Sequence, residues 1–236
     1  MRYTGSLVKK EREQIFSLFI EHRERSFTQI EKAIGLRSNM VAYHLDCMER
    51  EGLIAKHGSL YSLTPSAERD IPLFPHITGK VLSPLPVVLV AVITKDRILL
   101  LKRSKRPYKD YLGLIGGRIH HDETIEEASI RLVHEKTGLE AQKPIIHAIL
   151  HEHVMGQGMT KHSFIHFLTS IKTTDSPLSK RFLGALHWFD FGELPESSII
   201  PSDLWLIQNK LQSTISISRA TMVEEEGVLN DLRIPS

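Results

Sequence analysis

One cysteine, Cys47, stands among 236 residues, so no internal disulfide can form and stability must come from packing. That scarcity fits a reducing compartment, and a cytoplasmic protein is expected. An excess of one charge is also missing. Thirty Lys and Arg against 28 Asp and Glu leave a formal net charge of +2, which excludes a bulk field of the kind that coats nucleic acid or anionic membrane. Long apolar runs are absent too. The longest, PLPVVLVAVI, is about half of what a bilayer-spanning helix needs. The first residues, MRYTGSLVKKEREQ, carry charge but no apolar core and do not read as a secretory signal. Neither an internal repeat nor a low-complexity tract occurs. What remains is ordinary: 41% hydrophobic and 25% charged residues, in a chain long enough for two domains.

Proline is missing from residues 8 to 52, which read as helices. Ile15, Leu18, Phe19 and His22 fall at helical spacing and predict one buried face. SFTQIEKAI predicts a short helix with Ser26 or Thr28 as N-cap and Gly35 as stop. A third helix begins at RSNM, capped by Ser38 or Asn39, with Val41, Leu45 and Met48 inward and Gly52 as its end. LIAKHGSLYSL predicts two strands around a His57-Gly58 turn. IPLFPHITGKVLSPLP holds four prolines without a clear period and is expected to be a linker. The expected division is therefore 1–70, a linker at 71–86, a second domain at 87–215 and a tail at 216–236.

From Val87 the pattern changes. VVLVAVI and RILLLKR predict strands around a TKD turn, and residues 123–136 predict a helix. PIIHAILHEHVM and KHSFIHFLTSI predict a strand pair across GQGMT. ALHWFDF predicts a further strand and PSDLWLIQNKLQ a closing helix with proline and acid in its first turn. This mixture indicates a layered α/β domain. His147, His151 and His153 share parity on one strand, as do His162 and His166 on the next. They could face one another around a metal, line a ligand pocket, or be half exposed.

Residues 8 to about 65, three helices and a hairpin, resemble a winged helix-turn-helix domain of the ArsR and MarR type, most clearly in SNMVAYHLDCMEREGLI. The resemblance implies an α+β domain that binds duplex DNA. It places Arg37, Ser38, Asn39 and Tyr43 on the face offered to the major groove, and Lys56 and His57 at the wing tip. The competing reading is a protein-interaction module, because residues 1–70 carry about as many acids as bases and the non-specific electrostatic attraction is weak.

In the second half, Gly117, Glu123, Arg131, Val133, Glu135, Gly138 and Leu139 stand at the spacing of the Nudix signature, following RILLLKRSKRPYKDYLGLIGGRI. The stretch from about 85 to 212 resembles the Nudix family, which implies an α/β/α fold with a mixed sheet. Ile115 stands where that family usually has proline. Two signature positions differ more seriously. Residues 132, 135 and 136 form one cluster on a helix surface. In active relatives all three are glutamates that hold divalent cations, usually magnesium, on a diphosphate. Here they are Leu132, Glu135 and Lys136. Leucine cannot ligate a hard cation. An ammonium about 4 Å from a cation repels each unit of its charge by several kcal/mol, even at an effective dielectric near 20.

The resemblance then implies a family of Nudix-related transcription regulators, although those carry the DNA-binding domain after the Nudix domain rather than before it. On this reading a nucleotide or dinucleotide binds at Arg103, Gly116, Gly117, Arg118 and Lys136. The basic run KRSKRPYK supplies cations, and Glu127, Arg131 and Glu135 make an ion-pair row. No metal and no cofactor are expected, and the protein is expected to be a homodimer that matches two half-sites. The rival reading is a magnesium-dependent Nudix hydrolase with Glu135 as metal ligand, Glu123 and Arg131 beside it, and a carboxylate such as Glu152 from elsewhere. A third reading is an interaction scaffold that uses neither DNA nor nucleotide.

Overall fold

The computed structural model describes residues 7, 9–78, 82–173, 185–225 and 228–234. The chain divides into two compact units with the boundary between Ser83 and Pro84. Among the described residues no helix is long and apolar enough to cross a membrane.

The first unit holds α1 (Lys10–Glu21), β1 (Glu24–Ser26), α2 (Phe27–Ile34), α3 (Ser38–Arg50), β2 (Ile54–His57) and β3 (Leu60–Leu63), followed by one-turn helices α4 (Pro65–Glu68) and α5 (Phe74–Ile77). Ile15, Phe16, Phe19, Ile30, Val41, Leu45 and Met48 bring the three long helices together over Ile54 and Leu63 of the sheet. Each fully buried side chain of this size contributes about 1.5–3 kcal/mol.

Several local expectations change. The buried face of α1 is Arg12, Ile15, Phe16 and Phe19. His22 lies just past the last turn in extended conformation, where helical spacing no longer applies. Ser26, not Thr28, caps α2, through a reciprocal box with Gln29. Neither Ser38 nor Asn39 caps α3. Arg37 occupies the N-cap without a side-chain bond, and the Ser38 hydroxyl donates to Glu31 of α2 instead. The sheet has three strands in the order β1-β3-β2, because Glu24–Ser26 pairs with β3. Three residues carry too little alternation to reveal that strand in advance.

The segment expected as a linker from residue 71 is in part core. Phe74 is buried and stacks on Phe16 with ring centroids 4.7 Å apart. Pro75 lies in the first turn of α5, and Pro72 in the turn before it. At the other end of that segment, Leu85 and Pro86 already belong to a strand.

The second unit contains β4 (Leu85–Thr94), β5 (Arg97–Lys102), β6 (Leu112–Gly113), β7 (Ile115–Arg118), α6 (Ile125–Thr137), β8 (Ile145–Gly156), β9 (Met159–Lys172), β10 (Leu186–Asp190), α7 (Pro201–Lys210), β11 (Thr221–Glu225) and β12 (Val228–Arg233). The main sheet runs β10-β5-β4-β9-β8, with β6 on β5 and β7 on β4. It is mixed: β4 and β9 are parallel and the other pairs antiparallel.

Strand β4 reads as an unbroken apolar run because both of its faces are covered. Val88, Val90 and Val92 pack toward Ala128, Leu132 and Val133 of α6. Leu89 and Ala91 pack on the side of Leu206 and Ile207 of α7. The result is three layers, helix, sheet and helix. Thr124 and Glu127 form the capping box that starts α6, and Gly138, at φ 75°, ends it in the left-handed conformation. β11 and β12 form a separate hairpin within the segment expected only as a tail.

One irregularity decides which residues of β8 face the sheet's interior. His147 is an extra residue between the pairs Ile146–Thr169 and Ala148–Leu168. This β-bulge reverses the alternation of side chains beyond it.

Candidate functional site

On the first unit, the expected DNA-reading residues lie where helix spacing put them. Arg37, Ser38, Asn39 and Tyr43 are exposed, and Met40 beside them is 43% exposed. Val41, Leu45 and Met48 hold the opposite face in the core. Of this set Ser38 is already engaged by Glu31. Lys56 and His57 are exposed at the hairpin tip, and the Lys56 ammonium lies 5.5 Å from the centre of the Tyr61 ring. Cys47 is buried on the core side of the same helix.

On the second unit a cleft of about 370 Å³ opens over β4, β7 and β9, between the loop after β5 and the start of α7. Arg103, Gly116, Gly117, Arg118 and Lys136, all expected as ligand-binding residues, line it together. The Lys136 ammonium donates to the Gly116 carbonyl oxygen. Burial first, and the Arg103 guanidinium second, push the Lys136 amine below its ordinary pKa, while Glu135 opposes the shift. The Arg103 Nε donates to the Pro107 carbonyl at 3.0 Å, and its guanidinium lies over the Tyr108 ring. Lys102, Lys105 and Lys109 of the same basic run are exposed and do not line the cleft.

Gly116 and Gly117 have a packing role that their sequence context did not show. A Cβ at Gly116 would lie 2.7 Å from Leu89 Cδ2 and 3.2 Å from the Val88 carbonyl oxygen. At Gly117 it would collide with Leu132 Cδ2. Leu132 is 3% exposed and belongs to the apolar layer under α6. The position that a metal-binding glutamate holds in active relatives is therefore filled by a core side chain.

The remaining carboxylates of the box are also occupied. Of the expected Glu127-Arg131-Glu135 row only the Arg131–Glu135 half forms, because Glu127 caps the helix at Thr124. Arg131 instead grips Glu123 with two nitrogens, donates to the Arg118 carbonyl at 3.0 Å, and reaches Glu135 at 3.2 Å. The Arg131 guanidinium, helped by the His120 backbone N–H, holds the Glu123 carboxyl down at about 2. Leu132, Lys136 and an Arg131-bound Glu123 do not fit a divalent cation. Among the described residues, no group of three or more His, Cys, Asp or Glu side chains is arranged to hold a metal ion.

The far end of the cleft is polar for a different reason. Glu152, His162, Phe164 and His166 line it, with Tyr108 and Asp203 opposite. His166 Nε2 lies 3.0 Å from Glu152, and its buried Nδ1 has no partner among the described residues. Asp203 is buried, and its Oδ2 accepts the Leu114 N–H at 2.8 Å. Burial pushes the Asp203 carboxyl up to about 7, with the Leu114 hydrogen bond opposing. Desolvation likewise raises the Tyr108 phenol.

The histidines separate instead of gathering around a metal. His147, at the bulge, is buried between the Ser213 carbonyl and the Ser170 hydroxyl. His151 and His153 point to the solvent side, while His162 and His166 line the cleft. His120 pairs with Glu123, and neither it nor His121 lines the cleft. Asp203 and Tyr108 are the site residues that sequence reasoning missed. The acid in the first turn of α7 was visible, but it reads equally well as a helix-end charge.

A family profile for the NUDIX domain matches residues 84–207. The chain belongs to the Nudix family. A stretch of 56 residues is 46% identical to an ADP-ribose pyrophosphatase of Methanocaldococcus jannaschii, covering 23% of this chain and 33% of that protein. The match thus spans about a third of the relative's length. Among solved structures, the NUDIX domain of Shewanella oneidensis NrtR complexed with ADP ribose is 18% identical, with a TM-score of 0.47 over 55% of this chain and 88% of that one. A MutT protein from Bacillus halodurans is 20% identical, with a TM-score of 0.47 over 64% and 97% of the two chains. In this Nudix domain α6 and the loops on either side of it carry the spacing of the signature, with Leu132 and Lys136 at two of its positions.

Proposed function

We propose that this protein is a ligand-responsive transcription regulator, a cytoplasmic homodimer whose first unit is a winged helix that binds duplex DNA. Its Nudix domain senses a nucleotide-diphosphate-type metabolite without hydrolysing it. The observation that carries this reading is the replacement of the metal cluster by Leu132, packed on Gly117, and Lys136, bound to the Gly116 carbonyl, in a cleft that is otherwise open. An ammonium beside Arg103 favours phosphate where a metal would otherwise bridge it. The cleft's other end, with Asp203 and the Glu152–His166 pair, supplies hydrogen-bonding groups for the rest of the ligand.

Thermal shift with ADP and ADP-ribose, with and without magnesium, tests the sensor. Stabilisation without metal is expected, and the recovered nucleotide should be intact. Lys136→Ala should weaken binding by roughly 1.5–3 kcal/mol, the worth of a charged hydrogen bond. Magnesium-dependent release of phosphate or mononucleotide that disappears in Glu135→Gln would overturn the reading in favour of a hydrolase. That alternative requires Glu123 and Glu152 to leave Arg131 and His166, with which they are paired.

DNA binding is supported by the exposed polar face of α3. Arg37→Ala or Asn39→Ala should cost roughly 1–3 kcal/mol in operator affinity and relax sequence preference. Lys56→Ala should weaken binding to all sequences alike, as loss of a phosphate contact does. Unchanged affinity in all three variants removes the assignment. Regulation requires that the ligand prefer one of the DNA-competent and DNA-incompetent states. Saturating nucleotide should shift operator affinity by up to roughly a hundredfold in the same titration.

A further inference from the structure

The seam between α1 and α3 buries two basic side chains in different ways. Arg12 is 4% exposed and crosses from α1 to the end of α3, where its Nη1 donates to Glu51 at 2.9 Å. His44 of α3 is 5% exposed, and both nitrogens of its ring are buried without a hydrogen-bond partner among the described residues. The ring faces the start of α1, where Arg12 and Lys9 repel a positive charge on it and Glu11 attracts one. Within α3 the Tyr43 ring meets the His44 ring edge-on, with centroids 5.3 Å apart. Tyr43 is on the exposed face expected to read DNA, while Val41, Leu45 and Met48 hold the same helix in the core.

A neutral imidazole suits this seam as a flat packing ring. A charged one does not. It carries two N–H donors where neither nitrogen has an acceptor, and it adds a cation beside Arg12. Burial accordingly lowers the His44 pKa below its ordinary value, against the pull of Glu11. The native state then holds this proton less tightly than the unfolded chain does. The seam keeps its full stability above the ordinary histidine value of 6.5 and loses it as the pH falls through that value. We propose that His44 is a proton switch in the first unit: when its ring takes up a proton, α1 parts from α3 and the reading face loses the support that orients it. DNA affinity then falls on acidification. Electrostatics alone gives the opposite trend, because histidines gain positive charge as the pH falls and attract phosphate. The regulatory use of this switch rests on the DNA-binding reading of the first unit; the opening of the seam does not.

The test is hydrogen exchange of the α1 and α3 amides in the full chain between about pH 8 and about pH 5. Protection factors remove the intrinsic pH dependence of exchange. The wild type should lose protection in both helices on acidification, and His44→Leu should not. Two variants at the start of α1 keep the ring. Lys9→Gln removes a repelling cation and should move the loss to lower pH; Glu11→Gln removes the attracting acid and should move it to higher pH. A ring that only fills space gives no such opposite shifts. Over the same range, binding to mixed-sequence duplex DNA should weaken in the wild type relative to His44→Leu. Parallel protection profiles in these two proteins overturn the switch, as do Lys9 and Glu11 variants that shift the loss in the same direction. If His44→Leu does not fold, the Lys9 and Glu11 pair decides alone. A seam that opens while DNA affinity runs parallel in both proteins overturns the link to the reading face. If duplex DNA fails to bind even at the alkaline end, the DNA-binding reading falls and takes the regulatory use with it, while the exchange profiles still decide the seam.

Discussion

Leu132→Glu is expected to destabilise the Nudix domain by about 3–5 kcal/mol at neutral pH. The side chain is 3% exposed, lies against Gly117 and shares its layer with Val88, Val90 and Val133. Glutamate has the length to occupy the same space, so the loss comes from a carboxyl placed among apolar atoms rather than from a cavity. Desolvation would raise the new carboxyl's pKa, so the variant should recover stability as the pH falls. Adding Lys136→Glu removes the ammonium and brings two carboxylates beside Glu135. Only this double variant should then gain stability from millimolar magnesium, by roughly 2.7 kcal/mol when the cation is at a hundred times its dissociation constant. Denaturant melts of the wild type and both variants, with magnesium or a chelator, measure these effects. A loss below about 1 kcal/mol in the single variant would remove Leu132 from the core. No magnesium effect in the double variant would show that the rest of the pocket no longer matches the family's cation geometry.

Asp203→Asn is expected to make the protein more stable at alkaline pH. Asp203 is 4% exposed and its carboxyl is pushed from 3.8 up to about 7, mainly by burial. A folded-state pKa above the unfolded one means that the native state holds the proton more tightly. The stabilisation is fully present below the unfolded value, near 4, and is lost as the pH rises through about 7. A difference of that size corresponds to about 4 kcal/mol across the window. Asparagine keeps an oxygen for the Leu114 N–H and cannot ionise. The two proteins should therefore have similar stability near pH 4 and diverge toward pH 8, where the variant exceeds the wild type by up to about 4 kcal/mol. Subtracting the two pH profiles cancels the contribution of groups unchanged in both, such as Glu123. Parallel profiles would mean that Asp203 is ionised in the native protein at neutral pH. A carboxyl that keeps its proton near pH 7 can also donate a hydrogen bond into the cleft, which an ionised one cannot.

Elements whose signals are local were legible along the chain. The spacing from Gly117 to Gly138 carries α6, because the Thr124 cap, the apolar face and the left-handed glycine all lie within one segment. That residues 132, 135 and 136 share one helix surface was legible for the same reason: i, i+3 and i+4 positions are neighbours there. The exposed face of α3 followed from Val41, Leu45 and Met48 at helical spacing. Tertiary structure decided whatever depends on a partner far along the chain. Asp203 is a buried acid only because α7 docks on Leu114, 89 residues away. Phe74 left the expected linker for the core because Phe16 offers it a ring. Arg131 chose Glu123 over Glu127 because the loop before α6 folds back to it, while Glu127 is consumed by the cap. A single inserted residue at His147 sent His151 and His153 to solvent and left Glu152 facing the cleft. Alternation predicts the side of a strand only while the register is unbroken, and where it breaks is settled by the neighbouring strand.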